Sequence, residues 1–284
     1  QKAVQHINPY LVEAQNVYVN SRRQKLSEIP DLSFGSMAND GGGLILSDSE
    51  KEQLLHEDPN NIRFIRKFLG SAEFIRGLNR WCLWLVGSSL LDFSDDTFIG
   101  KRIKQVEQQR ISSTREATRR LANQPHLFGE IRHRNSQSII VPSVSSERRE
   151  YIPIGFLTEE TIISNLAFGI YDADPKIFGL LTSRMHMTWV RAVAGRLEER
   201  LRYSAGLCYN TFPVPNLSEA QQQELTGHVM NVLQERENHP EKTMAQLYDP
   251  DKMPDGLREA HHQLDLAVDR LYQKAPFTSD EERL

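Results

Sequence analysis

The chain has 284 residues, 39% hydrophobic and 25% charged, a balance that predicts a folded globular protein with a sizeable core rather than a disordered one. Its longest apolar run, residues 81–91, is interrupted by Gly87-Ser88-Ser89 and is too short to span a bilayer, and no signal peptide precedes it. The net charge of −4 hides an asymmetry: residues 101–150 carry 11 Lys and Arg against 5 acids, whereas residues 216–284 carry 7 against 14.

A local positive surplus keeps a nucleic-acid ligand open despite the acidic whole. From 101 to 215, 14 of the 17 cations are arginines, the residue suited to bidentate contact with phosphate and guanine. The two cysteines, Cys82 and Cys208, lie in apolar surroundings without metal spacing and read as buried free thiols. The chain opens on Gln1, which predicts a piece of a longer protein.

In chain order, residues 1–46 read as loops and short strands. Asn39-Asp40 before Gly41-Gly42-Gly43 marks a turn rather than a phosphate cradle, because no Lys-Ser/Thr follows and no strand–GxGxxG–helix frame surrounds it. Ser47 with Glu50 forms a capping box that opens a helix ending before Pro59. The spacing of Ile62, Ile65 and Leu69 predicts a second short helix over 61–69. Residues 81–86, Trp-Cys-Leu-Trp-Leu-Val, have the length and apolarity of a buried strand.

Residues 99–123 predict one long polar helix. Ile103, Val106, Ile111 and Leu121 give it a thin apolar stripe, and Arg102, Arg110, Arg115, Arg119 and Arg120 load the rest, as a phosphate-facing or merely solvated surface. Residues 131–175 alternate short β-like runs with Pro142, Pro153, Gly155 and Gly169. Residues 178–201 predict a helix with a methionine-rich core face, and His186 between Met185 and Met187 reads as a packed histidine. A strand-like 204–209 leads to Phe212-Pro213-Val214-Pro215. Beyond it, 218–236 and 256–273 predict helices, the second with Leu257, His261, Leu264, Val268 and Leu271 on one seam. The composition places a domain boundary near 215–217.

Several catalytic signatures are absent: no Gly-x-Ser-x-Gly elbow, CxxC pair, HExxH or deaminase motif occurs. Asn8-Pro9-Tyr10 in HINPYL comes close to the Asn-Pro-Pro-aromatic turn of adenine methyltransferases. It lacks one proline, and no nucleotide-binding βαβ unit for S-adenosylmethionine precedes it. It is not read as a catalytic turn.

HINPYL, GSMANDGGGLILSDSE, FIRKFLGSAEFIRGLNRWCLWL, PSVSSERREYIPIGF, FGLLTSRMHMTWVRAVAGRLEERLRYSAGLCYNTFPVP and LYDPDKMPDGLREAHHQLDLAVDRLY together resemble the carboxy-terminal part of MmeI-like, type IIL adenine-specific DNA methyltransferases. The FPVPNLSEAQQQEL junction is also similar to the point where recognition domains of type I specificity subunits give way to a helix. The resemblance implies an α+β chain: a mixed α/β target recognition domain with short strands over 1–215, then a small helical C-terminal domain over 216–284. It implies no catalytic residue, metal or cofactor on this chain, with S-adenosylmethionine in a methyltransferase domain amino-terminal to it. The implied partners are double-stranded DNA, that methyltransferase domain and a nuclease or helicase, in a bacterial cytoplasm with no membrane role.

Two stretches that interrupt the matched motifs supply base-reading candidates: Arg132, Arg134, Asn135 and Gln137 in IRHRNSQS, and Asp172 and Asp174 in IYDADP. Arg, Asn and Gln suit purine edges, and an Asp can accept from the cytosine amine; a helix N-cap before Pro175 is the competing reading of the two aspartates. Phosphate candidates are Arg115, Arg119, Ser145, Arg148, Arg149, Arg184, Arg191 and Tyr203, with buried ion pairing competing for Arg191 and also offered for Arg196. Two other functions compete: a protein-interaction module docking a nuclease or defence partner through the acidic tail, and an independent enzyme using the 41–43 loop.

Overall fold

The computed structural model of the protein describes residues 18–284; the Asn8-Pro9-Tyr10 motif lies outside them. In chain order the strands are β1 (Ser33–Phe34), β2 (Ile45–Leu46), β3 (Ile65–Leu69), β4 (Trp81–Leu83), β5 (Ser138–Pro142), β6 (Val144–Ser145), β7 (Gly155–Leu157), β8 (Thr161–Ile163), β9 (Ala167–Tyr171), β10 (Gly195–Leu197) and β11 (Arg200–Arg202). The helices are α1 (Asp48–Glu57), α2 (Ser71–Arg76), α3 (Phe98–Ile111), α4 (Glu116–Arg120), α5 (Pro175–Leu181), α6 (Arg184–Val193), α7 (Glu219–Glu237), α8 (Met244–Leu247) and α9 (Asp255–Tyr272). The class is α+β, as expected, with small sheets and a helical carboxy-terminal region. None of the helices among the described residues is long and apolar enough to cross a membrane.

Packing divides the chain into two interleaved units. One holds Ser33–Gln137 and Leu157–Gly169. The other holds the remaining described residues, including all of 170–284, so the helical tail and the stretch before residue 216 belong to one compact unit.

The first unit is built on the sheet β2-β4-β3-β8. Neighbours are antiparallel except β3 with β8, which run parallel in the register Lys67↔Thr161, Phe68↔Ile162, Leu69↔Ile163. Its core gathers Leu44, Leu46, Leu54, Phe68, Cys82, Leu83, Ile103, Val106 and Ile162. The capping box holds: Ser47 caps α1, and Glu50 reaches back to the Ser47 N–H at 2.8 Å. The helix expected over 61–69 is instead a 3-10 turn (Pro59–Phe64) followed by β3. Ile65 and Phe68, which fit a helical period, are buried from a strand because β4 and β8 offer ladders on both of its edges.

The polar helix expected over 99–123 also breaks. The chain leaves α3 at Ser112 and re-enters as α4 and a 3-10 turn (Leu121–Asn123). Gly43 sits where an added Cβ would strike Val106 of α3, so a side chain there would push helix and turn apart.

In the second unit, the helix expected over 178–201 is split by Ser183, whose side chain accepts from the His186 N–H and starts α6. The carboxy-terminal part of that stretch is the β10–β11 hairpin, and the strand-like 204–209 is a π-helical turn, Ala205–Tyr209. The two tail helices form as expected. α7 has its own capping box, Ser218 with Gln221, and α9 buries Leu257, His261, Leu264 and Val268 along its seam. α9 packs on α7, and α7 on α5. At Gly179 of α5 a Cβ would lie 2.9 Å from Val229 of α7 and 3.4 Å from Leu264 of α9, so the three helices meet through the absence of a side chain.

Candidate nucleic-acid interface

In the first unit the IRHRNSQS stretch is a loop with a fixed root. Met37 bridges Glu130, and the buried Ser36 hydroxyl accepts from the N–H groups of Arg132 (3.0 Å) and His133 (3.2 Å). His133 packs edge-on against Trp84, ring centroids 5.5 Å apart, and burial lowers its pKa. The remaining side chains face outward: Arg132, Arg134, Asn135 and Gln137 are all exposed, with Arg132 ion-paired to Glu130. A tethered root with exposed Arg, Asn and Gln side chains has the chemistry and accessibility that a groove contact needs.

The arginines of residues 98–123 separate into two kinds. Arg115 and Arg119 are exposed, and Arg119 leans on the carbonyls of Ser113 (2.9 Å) and Thr114 (3.0 Å). Arg102 and Arg110 are not surface cations, contrary to the expected loading of one polar helix. Arg102 donates to the carbonyls of Gly42, Gly43 and Ile45 and to Glu50. Arg110 is 1% exposed. Its five N–H groups reach the carbonyls of Asn39, Leu121, Gln124, Ala38 and Leu127 at 2.8–3.0 Å. The guanidinium fork that would suit phosphate instead ties the 38–39 and 121–127 stretches together.

The 41–43 turn holds its own amides. The Asp40 carboxylate accepts from Gly42 N–H at 3.1 Å and Leu44 N–H at 2.5 Å, which turns those donors away from any phosphate. Among the described residues no cluster of three or more His, Cys, Asp or Glu could hold a metal ion.

In the second unit Asp172 is exposed with φ +55°, a left-handed conformation that an Asp tolerates better than most residues. Asp174 is the N-cap of α5: it accepts from Lys176 N–H at 2.9 Å, with Pro175 in the first turn. Arg148 pairs with Asp251 at 2.5 Å and Arg184 with Asp280 at 2.7 Å. The Arg148 pair lies in solvent, which screens it, whereas Asp280 is half-buried and also pairs with the buried Arg283. Arg149 is half-buried, and burial pulls its pKa down; it donates to Ser145 at 3.3 Å, while the exposed Arg191 donates to the Arg149 carbonyl at 3.0 Å.

Two phosphate candidates are placed inside. Tyr203 is 4% exposed, its hydroxyl 2.9 Å from His186 Nε2, and His186 is fully buried, its pKa pulled down to about 3 by desolvation. Ser145 is also 4% exposed because it occupies the inward register of β6. Neither hydroxyl is presented to solvent, and the correction follows from strand alternation that a single sequence does not display.

Sequence reasoning missed a further basic element. In β10–β11 the register pairs Gly195 with Arg202, Arg196 with Leu201 and Leu197 with Arg200, and β11 pairs with β6 through Leu201↔Ser145 and Arg202↔Val144. Arg196, Arg200 and Arg202 are exposed and Leu201 is buried. The signal was present as alternation around Glu198-Glu199, hidden by the helical run before it.

A family model described as the MmeI target recognition domain matches residues 13–216, and one described as the MmeI C-terminal domain matches 217–284. The chain belongs to the MmeI target recognition family. DNA methyltransferase A of Bacillus subtilis (strain 168) is 45% identical to it over all 284 residues, which are 32% of that relative's length. A solved structure of the type IIL restriction-modification enzyme MmeI in complex with DNA superposes on 99% of the chain with a TM-score of 0.92 and 38% identity, covering 37% of that protein. The chain thus spans about a third of the length of these two relatives.

Proposed function

We propose that this chain is the sequence-reading module of an adenine-specific DNA methyltransferase of the restriction-modification type, with double-stranded DNA as its ligand. The observation that carries the reading is the match of nearly the whole chain to a protein solved on DNA, supported by exposed arginines in each of the two units. In this reading residues 1–215 are the recognition domain and 216–284 its helical partner domain. Arg132, Arg134, Asn135, Gln137 and Asp172 address base edges; Asp174, committed to its helix cap, positions Asp172. Arg115, Arg119, Arg148, Arg149, Arg184 and Arg191 address phosphates. S-adenosylmethionine and the methyl transfer belong to the methyltransferase domain of the longer protein, which supplies the reactive methyl group; this chain's residues bind and orient the duplex.

The test is selection of a random duplex pool on the purified chain, followed by a salt titration. One short motif should be enriched, with affinity falling steeply between roughly 50 and 200 mM salt. Arg134→Ala and Asp172→Ala should each relax one position of that motif at a cost of about 1–3 kcal/mol. Salt-independent binding, or none by a folded chain, refutes autonomous recognition.

A further inference from the structure

The three-stranded sheet β10-β11-β6 has two different faces. Residues directly opposite one another in an antiparallel pair share a face, and faces alternate along each strand. One face carries Leu201 and Ser145, both buried, with Arg196 at its edge. The other carries Arg200, Arg202, Leu197 and Gly195. Arg202 has Val144 of β6 on one side and no side chain on the other, where a Cβ added at Gly195 would meet nothing within 4 Å. The outer face therefore has two guanidinium groups on one strand and a bare, open position beside the second.

Arg202 has no ion-pair partner among the described residues. Arg200 pairs with Glu198 at 2.8 Å, with both side chains about half or more exposed (48% and 77%), so solvent weakens the pair. The turn itself is constrained. A two-residue connection, Glu198-Glu199, joins Leu197 to Arg200, and Glu198 adopts φ +58°, where glycine is the usual residue. An acidic residue held in that conformation at an exposed tip is not explained by packing.

We propose that the β10–β11 hairpin is a DNA-contacting ribbon in which Arg200 and Arg202 grip two phosphates, two steps apart on one strand, with Gly195 leaving room for the backbone to approach. The inference rests on the duplex-binding reading above and assigns it a surface that the motif-based candidates did not include. Two residues along a strand span about 6.7 Å, close to the rise of two phosphates on one DNA strand at about 3.4 Å each. The ribbon pairs laterally with β6, the chain just after which carries Arg148 and Arg149, and the major groove accepts a two-stranded ribbon. Glu198 neutralises Arg200 in the free protein and yields it to phosphate on binding, so the tip itself lies off the phosphate chain.

The experiment compares the unaltered 284-residue chain with Arg200→Gln/Arg202→Gln, Arg196→Gln and Glu198→Gly on a 30-base-pair duplex carrying the selected motif, or a random-sequence duplex if none is selected. Thermal melts establish that each variant is folded. The double variant should flatten the slope of log affinity against log salt by about two, near 0.9 per phosphate lost, with the selected motif unchanged. Arg196→Gln, on the inner face, should leave the slope as it is. Glu198→Gly should bind as tightly as the parent or more tightly. An unshifted slope in a folded double variant, while the parent binds, overturns the hairpin assignment alone, as does a several-fold loss with Glu198→Gly. Absence of salt-sensitive binding by the parent chain overturns the duplex-binding reading and the hairpin assignment with it.

Discussion

Replacing Arg110 by methionine should be among the most damaging single changes in the chain, and its cost can be worked from the five carbonyls that the guanidinium serves. Three of them keep another partner: Ala38 also accepts from Gly129 N–H, Leu121 from Gln124 and Gln124 from Leu127. The carbonyls of Asn39 and Leu127 have no other hydrogen bond among the described residues. Leaving a buried acceptor unsatisfied costs about 1–3 kcal/mol, so two of them give about 2–6 kcal/mol, which places the variant near 4. Arg110→Lys keeps the charge but offers three donors on a point-like head, and should fall about midway. Urea unfolding followed by tryptophan fluorescence reads the loss, with the exposed Arg119→Met as the control, expected within about 0.5 kcal/mol of the parent. If Arg110→Met unfolds within 1 kcal/mol of the parent, the idea that this arginine staples the loops around residues 38–39 and 121–127 is wrong.

Three further outcomes follow from other sites. Burial raises the pKa of Asp265 to about 7, while its oxygens accept from Tyr151 Oη and Arg184 N–H at 2.7 Å each. The folded state therefore holds a proton that the unfolded state releases near pH 4. Its stabilisation is complete below pH 4 and is lost as pH rises through about 7, and Asp265→Asn should flatten melting temperature against pH over that window; an unchanged slope would assign the pH dependence elsewhere. Gly43→Ala should destabilise by roughly 1–3 kcal/mol through its collision with Val106, whereas Gly42→Ala, at φ +92° in open space, should cost about 1; equal losses in chemical denaturation would contradict the packing account. Tyr203→Phe should lose about 1–3 kcal/mol by stranding buried His186 and leave duplex affinity unchanged, so weakened binding by a folded variant would restore Tyr203 to the interface.

What was legible in the sequence was local. The Ser47/Glu50 capping box satisfies its own amides within four residues and the α9 seam declares itself at helical spacing, whereas the run expected as a buried strand over 81–86 is a strand only over Trp81–Leu83 and ends on an exposed Val86. What was illegible depends on distant partners. Residues 65–69 could be helix or strand until β8, almost a hundred residues later, offers a parallel ladder. Arg110 reads like any arginine on a polar helix, because the carbonyls it serves come from loops on both sides of α3. Ser183 carries a start signal that the apolar residues around it concealed, and missing that signal hid the hairpin beyond it. Among the site residues, residue type and position outside the shared motifs pointed to the 131–137 loop, which is exposed as such a role needs. Strand direction, which put Ser145 inside and Arg202 outside, was not available.

The meeting of α5, α7 and α9 at Gly179 bears on how such modules can be exchanged. A recognition segment inherited without residues 217–284 would arrive with an uncovered helix, and a tail inherited from a distant cousin would have to fit a gap the width of one hydrogen atom. If the chain reads DNA as proposed, exchange of such segments between relatives should therefore succeed when both travel together, so that the three-helix joint is inherited whole.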